Sequence, residues 1–289
     1  MLYVPVSGGA EQVAAANPAY ACCTFRGSLA ALDANSGKVL WKTYRIEEAP
    51  KKIGQSSVGT QQMGPSGAAL WSSPTLDLER NIVYAATGVN YSDPPTGSSD
   101  AVLAFDRRTG RLLWSRQLLP ADVFNFGCTT EQRANCPGKP GQDGDIGAPP
   151  ILRLLGGGRR LLIVGAKSGV VYGLDPDHEG TIVWQQRLAK GGPQGGIMWG
   201  GAADDRLAYF SISDWDAGKG EAGGGVTAIE IATGKTAWTT PAPRPAGLGR
   251  PGCSAGRAGN IDIRSSVFRV DGWPPTGLRR ANRRHHLGL

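Results

Sequence analysis

Hydrophobic and polar positions along the chain alternate in short apolar runs broken by turn residues, and four of these runs align with one another. They extend from Gly27 to Trp41, Asp100 to Trp114, Gly169 to Trp184 and Gly225 to Trp238. Each reads as a strand, a turn and a second strand. An acidic residue closes the first strand (Asp33, Asp106, Asp175, Glu230), and a glycine lets the turn visit positive φ (Gly37, Gly110, Gly180, Gly234). Two places before the acid the residue is small (Ala31, Ala104, Gly173, Ala228), and one place before it is large and apolar (Leu32, Phe105, Leu174, Ile229). Strands that are apolar on both faces need cover on both faces, which predicts blades stacked about an axis with each tryptophan as a wedge. The expected fold is all-β, a partial propeller of about four tryptophan-docking blades over residues 1–238.

Successive tryptophans are 73, 70 and 54 residues apart, more than a minimal four-stranded blade of about 40–50 residues requires. The excess lies mainly in 42–70 and 118–147, inserted loops of the kind that carry binding and catalysis on a rigid scaffold. After Trp238 the pattern gives way to Arg, Pro and Gly. Residues 239–289 therefore read as an irregular tail, with a composition that an out-of-frame reading of a GC-rich gene would produce. A start in mid-strand and four blades suggest a fragment of a larger propeller.

Composition agrees with many tight turns: 289 residues hold 43 glycines and 20 prolines. No apolar stretch is long enough to span a membrane, and Met1 to Ser7 lacks the plan of a signal peptide. The net charge of +7 sits in the tail, where nine arginines face two aspartates, so the propeller residues balance and nucleic acid is not an expected partner. The five cysteines form no CxxC pair, which argues against zinc and covalent haem. Cys128 and Cys136 flank a polar loop that a disulfide can close, suiting an oxidising compartment; two free thiols are the alternative. Adjacent Cys22 and Cys23 can pair or remain two small apolar residues, and Cys253 has no evident partner.

The repeat A-x-D-x-x-T-G-K-x-x-W resembles the quinoprotein alcohol dehydrogenase family. Within it, CCTFRGSLAALDANSGKVLWKTY (22–44), GPSGAALWSSPTLDLERNIVYAATGVNYSDP (64–94), SDAVLAFDRRTGRLLWSRQ (99–117) and GAKSGVVYGLDP (165–176) look like polyvinyl-alcohol dehydrogenases. The resemblance implies pyrroloquinoline quinone and a calcium ion as cofactors. Alcohol oxidation of this kind needs a base for the hydroxyl proton and a quinone carbonyl that accepts hydride, polarised by a hard cation with oxygen ligands.

Carried over by position, the resemblance makes Glu11, in Ser7-Gly8-Gly9-Ala10-Glu11, a calcium ligand. The second ligand position falls on Val89, so Asn90 beside it is the candidate. Trp71 matches the tryptophan that floors the quinone, and an indole can stack on a planar cofactor. Lys167 matches a basic residue that contacts the quinone oxygens, and Trp199 another stretch near the axis. Asp145, in Asp143-Gly144-Asp145, is the preferred catalytic base, with Asp122 competing. Cys22-Cys23 resembles a pair that caps the quinone, although in a different repeat.

The function so implied is a quinone- and calcium-dependent dehydrogenase of a secondary or polymeric alcohol, periplasmic, passing electrons to a cytochrome. A non-catalytic scaffold of the outer-membrane assembly type has the same repeat, and a truncated inactive remnant is a third reading. Glu11, Trp71, Asp145 and Lys167 together separate the first from the second.

Overall fold

The structure is a computed structural model and describes residues 1–216, 221–242, 260–262 and 267–269. The four aligned segments are the cores of four antiparallel sheets that make the blades of a β-propeller. The first has three strands (Leu2–Val6, Ser28–Leu32, Val39–Tyr44). The second joins Thr75–Asp77, Ile82–Ala86, Ala101–Asp106 and Leu112–Gln117. The third joins Ile151–Leu154, Arg160–Gly165, Val170–Asp175 and Thr181–Arg187. The fourth joins Gly201–Ala203, Leu207–Asp216, Glu221–Glu230 and Thr236–Pro241.

Alternation along each strand decides which neighbour a side chain meets. In the second blade Val83, Ala85, Ala101, Leu103 and Phe105 pack toward Leu29 of the first. Their alternates Tyr84, Ala86, Val102 and Ala104 pack with Leu162, Val164, Val170 and Tyr172 of the third. The third blade repeats the division, sending Leu161, Ile163 and Val171 against Ala208, Phe210 and Ile212 of the fourth. The second and third blades thus each have two apolar faces, as the sequence pattern required.

The conserved-looking details of the repeat have separate physical causes. The small residue is the cross-strand partner of the tryptophan: Ala31 faces Trp41, Ala104 faces Trp114, Gly173 faces Trp184 and Ala228 faces Trp238, each just before a bulge. A Cβ on Gly173 would lie 2.3 Å from the Trp184 ring. The acid folds the turn. One Asp106 carboxylate oxygen accepts the Arg108 and Thr109 N–H groups at 3.0 and 2.8 Å, and Asp33 does the same for Asn35 and Ser36.

The division at residue 238 places a strand in two parts, because the last strand of the fourth blade continues to Pro241. The reading of the remaining tail as irregular or out of frame falls on residues that lie almost entirely outside the described ones. The long insertions carry their own structure. Lys51–Gln55 pairs with Gln61–Gly64, and within the 118–147 loop a Cys128–Cys136 disulfide closes a short ring, with Cα atoms 4.5 Å apart.

Candidate functional site

The 118–147 insertion meets the third blade at Lys167, the residue that opens the turn between two of its strands. Its ammonium donates to Asp143 Oδ2 at 2.7 Å and to Asp145 Oδ2 at 2.9 Å, and all three residues are buried. The backbone fastens the same group, since the Lys167 N–H donates to the Asp145 carbonyl at 2.9 Å. Asp143 has φ of 58°, an uncommon conformation for a non-glycine residue that aspartate tolerates better than most.

Asp145 is held at both oxygens, because Oδ1 accepts the Val89 N–H at 2.7 Å. Close approach there depends on a missing side chain: a Cβ on Gly88 would sit 2.0 Å from that oxygen. Asp122, the competing acid, instead organises the loop from within, accepting the Asp143 N–H at 3.2 Å and the Gly144 N–H at 2.7 Å.

The charges do not balance, and burial decides how they settle. Burial by itself would lower the Lys167 ammonium, but Asp145 and Asp143 outweigh it and hold the group above its ordinary value. Burial first, and Asp145 second, push the Asp143 carboxyl up to about 8 against the pull of Lys167. The two directions look opposed for an ion pair. One ammonium cannot neutralise two adjacent buried carboxylates, so the Asp143 carboxyl is the one held toward its protonated form while Lys167 stays charged. Burial also raises Asp122, against the two N–H groups it accepts.

Trp71 stands over this group. A Cβ on Gly147 would lie 1.9 Å from its ring, and its Nε1 edge faces Gly88. Trp199 meets it edge-on, with ring centroids 5.6 Å apart. Cys22 and Cys23 form a disulfide and pack in one buried cluster with Ala69, Val89, Tyr91 and Phe124, with Trp71 against it. The structure therefore brings Trp71, Trp199, Asp145, Lys167 and the Cys22–Cys23 pair into one neighbourhood, with Asp122 supporting the loop beneath.

Glu11 and Asn90 are engaged locally. Glu11 Oε1 accepts the Tyr20 hydroxyl at 2.9 Å and the Thr24 N–H at 2.7 Å, and Oε2 accepts the Phe25 N–H at 2.7 Å, so the residue anchors the turn after the disulfide. The Asn90 carbonyl oxygen accepts the Thr96 N–H at 2.8 Å, with the Thr96 hydroxyl 3.2 Å away. That uses both lone pairs of the amide oxygen, whereas Glu11 Oε2 retains capacity. Asn90 as arranged does not fit a calcium ion, and among the described residues no group of three or more His, Cys, Asp or Glu side chains can hold one.

Two residues of the site were not singled out by sequence reasoning. Asp143 is the closer partner of Lys167, a role the D-G-D spacing hints at. Asp100 is wholly buried, and neither carboxylate oxygen has a hydrogen-bond partner at normal geometry. It has φ of 48° at the repeat position that is Gly27, Gly169 or Gly225 in the other blades. Burial, then Asp145, Asp122 and Asp143, raise its carboxyl well above the ordinary value, although Ser99 favours the anion. Folding therefore takes up a proton here that the unfolded chain releases near pH 4, so stability falls as pH rises from there toward the folded-state value. Asp100→Asn, which tolerates the same backbone, is expected to be more stable than the parent at pH 7. It should also lose up to about 1.4 kcal/mol per pH unit of that dependence. Urea titrations from pH 5 to 8 check this, and parallel pH profiles for the two chains would refute it.

Comparison with known proteins adds to this geometry. The family described as "PQQ: Glucose/ethanol/alcohol dehydrogenase, beta-propeller domain" matches residues 11–132, and a second PQQ-repeat family, described as "Outer membrane protein assembly factor BamB", matches 167–266. A polyvinylalcohol dehydrogenase of Pseudomonas sp is 44% identical over 243 residues, covering 84% of this chain. The chain belongs to the PQQ-repeat quinoprotein family. This quinoprotein chain spans 37% of the length of that relative. A quinohemoprotein alcohol dehydrogenase from Comamonas testosteroni superposes with a TM-score of 0.52 at 17% identity, covering 76% of this chain and 43% of that one. A europium-containing methanol dehydrogenase gives 0.51 at 17% identity, covering 83% and 52%. Both likenesses show the quinoprotein propeller fold. Among the described residues no helix is long and apolar enough to cross a membrane.

Proposed function

We propose that the Trp71–Asp145–Lys167 site binds pyrroloquinoline quinone and serves the oxidation of a secondary or polymeric alcohol, with electrons leaving to a cytochrome. The convergence of an indole, a doubly fixed carboxylate and a buried ammonium carries this reading, and the polyvinylalcohol dehydrogenase relative supports the substrate class. A bound quinone supplies the two-electron acceptor. The chain supplies the rest.

Trp71 offers a flat apolar surface, and it is seated by the bare backbone of Gly147, while Gly88 leaves room for the Asp145 carboxylate. Two of the three Lys167 donors are committed to Asp143 and Asp145, leaving one for an acceptor oxygen. Asp145 takes the hydroxyl proton: Val89 and Lys167 fix its orientation, and a positioned carboxylate is a competent general base. Calcium rests on Glu11 alone, and no step here is routed through it. Two disulfides suit a periplasmic setting.

A scaffold of the assembly type has no use for Asp145 and Lys167 in one buried group. The experiment is titration of the purified chain with pyrroloquinoline quinone, with and without calcium, followed by tryptophan fluorescence. Dye reduction is then measured with 2-propanol and with polyvinyl alcohol. Saturable quenching with alcohol-dependent dye reduction is expected. A folded chain that binds no quinone under either condition refutes the proposal.

A further inference from the structure

Two buried asparagines fasten the ends of the Cys128–Cys136 ring to the rest of the chain. The Asn125 amide donates to the Tyr91 and Asn135 carbonyls, each at 2.7 Å, and its oxygen accepts the Gly127 N–H at 2.8 Å. The Asn135 amide, one residue before Cys136, donates to the Tyr20 carbonyl at 2.9 Å and to those of Ala15 and Asn17 at 3.2 Å. These three carbonyls lie between the helix Gly9–Ala14 and the Cys22–Cys23 pair, and the Tyr20 hydroxyl reaches back to Glu11 at 2.9 Å. The ring is thus a buckle on residues 15–24, the stretch that leads into Cys22–Cys23.

The two sulfurs of the ring are not equivalent. Cys136 is buried, whereas Cys128 is half-buried and followed by exposed Thr129. Arg133, exposed and inside the ring, donates from Nη2 to Cys136 Sγ at 3.1 Å and from Nη1 to the Cys128 carbonyl at 3.3 Å. It does so from φ of 48°, uncommon for arginine, so the backbone takes a costly turn that brings the guanidinium back onto the ring. A disulfide sulfur accepts only weakly, but a cation beside it favours the thiolate that a broken bond would leave there. Cys22–Cys23 is built differently. Its residues are 2% and 0% exposed, the Tyr91 carbonyl lies 4.0 Å from the Cys23 sulfur, and among the described residues no cation donates to either sulfur.

We infer that Cys128–Cys136 is a thiol-exchange site, which a dithiol reductant opens and which, once open, frees residues 15–24 from the buckle. One thiolate of the dithiol attacks the more accessible Cys128 Sγ. A mixed disulfide forms and the ring bond breaks, its electron pair leaving on Cys136 Sγ beside Arg133; the better-stabilised thiolate leaves faster. The second thiolate of the dithiol then attacks its own sulfur in the mixed disulfide, closing the reductant's disulfide and leaving the pair on Cys128 Sγ. Two electrons and two protons pass from the dithiol to the protein. This inference does not depend on the quinone reading.

Its test is limited reduction of the oxidised 289-residue chain by dithiothreitol, after blocking of any thiols present beforehand. The thiols released are alkylated and located by peptide mass spectrometry. Cys128 and Cys136 are expected to be labelled first, with Cys22–Cys23 intact. Arg133→Asn removes the cation while tolerating the left-handed backbone, and should slow the reduction by about three- to ten-fold. That difference should shrink at about 1 M salt, which screens an exposed guanidinium. In the reduced, alkylated chain, amide exchange over residues 15–25 should be about ten-fold faster or more. Labelling of Cys22–Cys23 first or at the same rate overturns the exchange site, as does an Arg133→Asn chain reduced at the parental rate or a difference unmoved by salt. Unchanged amide exchange over 15–25 overturns the release.

Discussion

Replacing Lys167 with methionine is expected to lower folding stability by about 3–5 kcal/mol, the usual result of removing one partner from a buried ion pair. Methionine fills most of the space of the lysine stem but carries no donor. Asp143 and Asp145, which the ammonium meets at 2.7 and 2.9 Å, are then left in a buried site with no cation. Burial already raises the Asp143 carboxyl, and without the opposing pull of Lys167 its folded-state pKa lies further above that of the unfolded chain. The sign follows: the variant is closest to the parent at low pH, where the Asp143 carboxyl is protonated in both the unfolded and the folded chain, and loses stability as pH rises. Urea denaturation at pH 5 and pH 8 measures this, with the larger deficit expected at pH 8. Adding Asp143→Asn should recover part of the loss, because one of the two uncompensated acids is then gone. A deficit below about 1 kcal/mol at pH 8 would mean that water already solvates the pair.

The blades were legible in the sequence because each position of the repeat has a local cause. An acid that folds its own turn, a small residue beneath an indole and strict alternation toward two neighbours all act within one hairpin or its immediate contacts. The site was legible only in part, since its members come from separate insertions. Lys167 and Asp145 could be paired by counting residues, yet the share of Asp143 appears only once the backbone turns at that residue and aims both acids at one ammonium. Asn90 shows the opposite limit. An amide beside a threonine-glycine turn has the right chemistry for a hard cation, but Thr96, six residues later, takes its oxygen. A motif does not reveal so local a competitor. Asp100 was in view as the first residue of a repeat, where its departure from glycine was the one available sign of a cost. Its isolation from hydrogen-bond partners depends on the packing of blades and could not be read from the chain.

The acid that performs the chemistry and the acid that shapes its loop can be separated by one contrast. Asp145→Asn is expected to cut the turnover of alcohol by about 10²–10⁴-fold, the range for loss of a positioned general base. Quinone affinity of the folded fraction should change little, because Trp71 is untouched, although the amide oxygen can accept from Val89 N–H or from Lys167 but not both, so some stability is lost as well. Asp122→Asn alters a different link. Asp122 accepts the Asp143 and Gly144 N–H groups at separate oxygens, and an amide can satisfy only one of them, so stability falls by about 1–3 kcal/mol. Turnover by the folded fraction should stay within about ten-fold of the parent. Dye-coupled kinetics at saturating quinone, corrected for active sites by fluorescence titration, distinguishes the two. If both variants lose turnover equally while folded, Asp122 has a share in proton removal. If Asp145→Asn turns over at the parental rate, the base lies elsewhere, and the carboxylate fixed between Val89 and Lys167 is a structural brace for the loop.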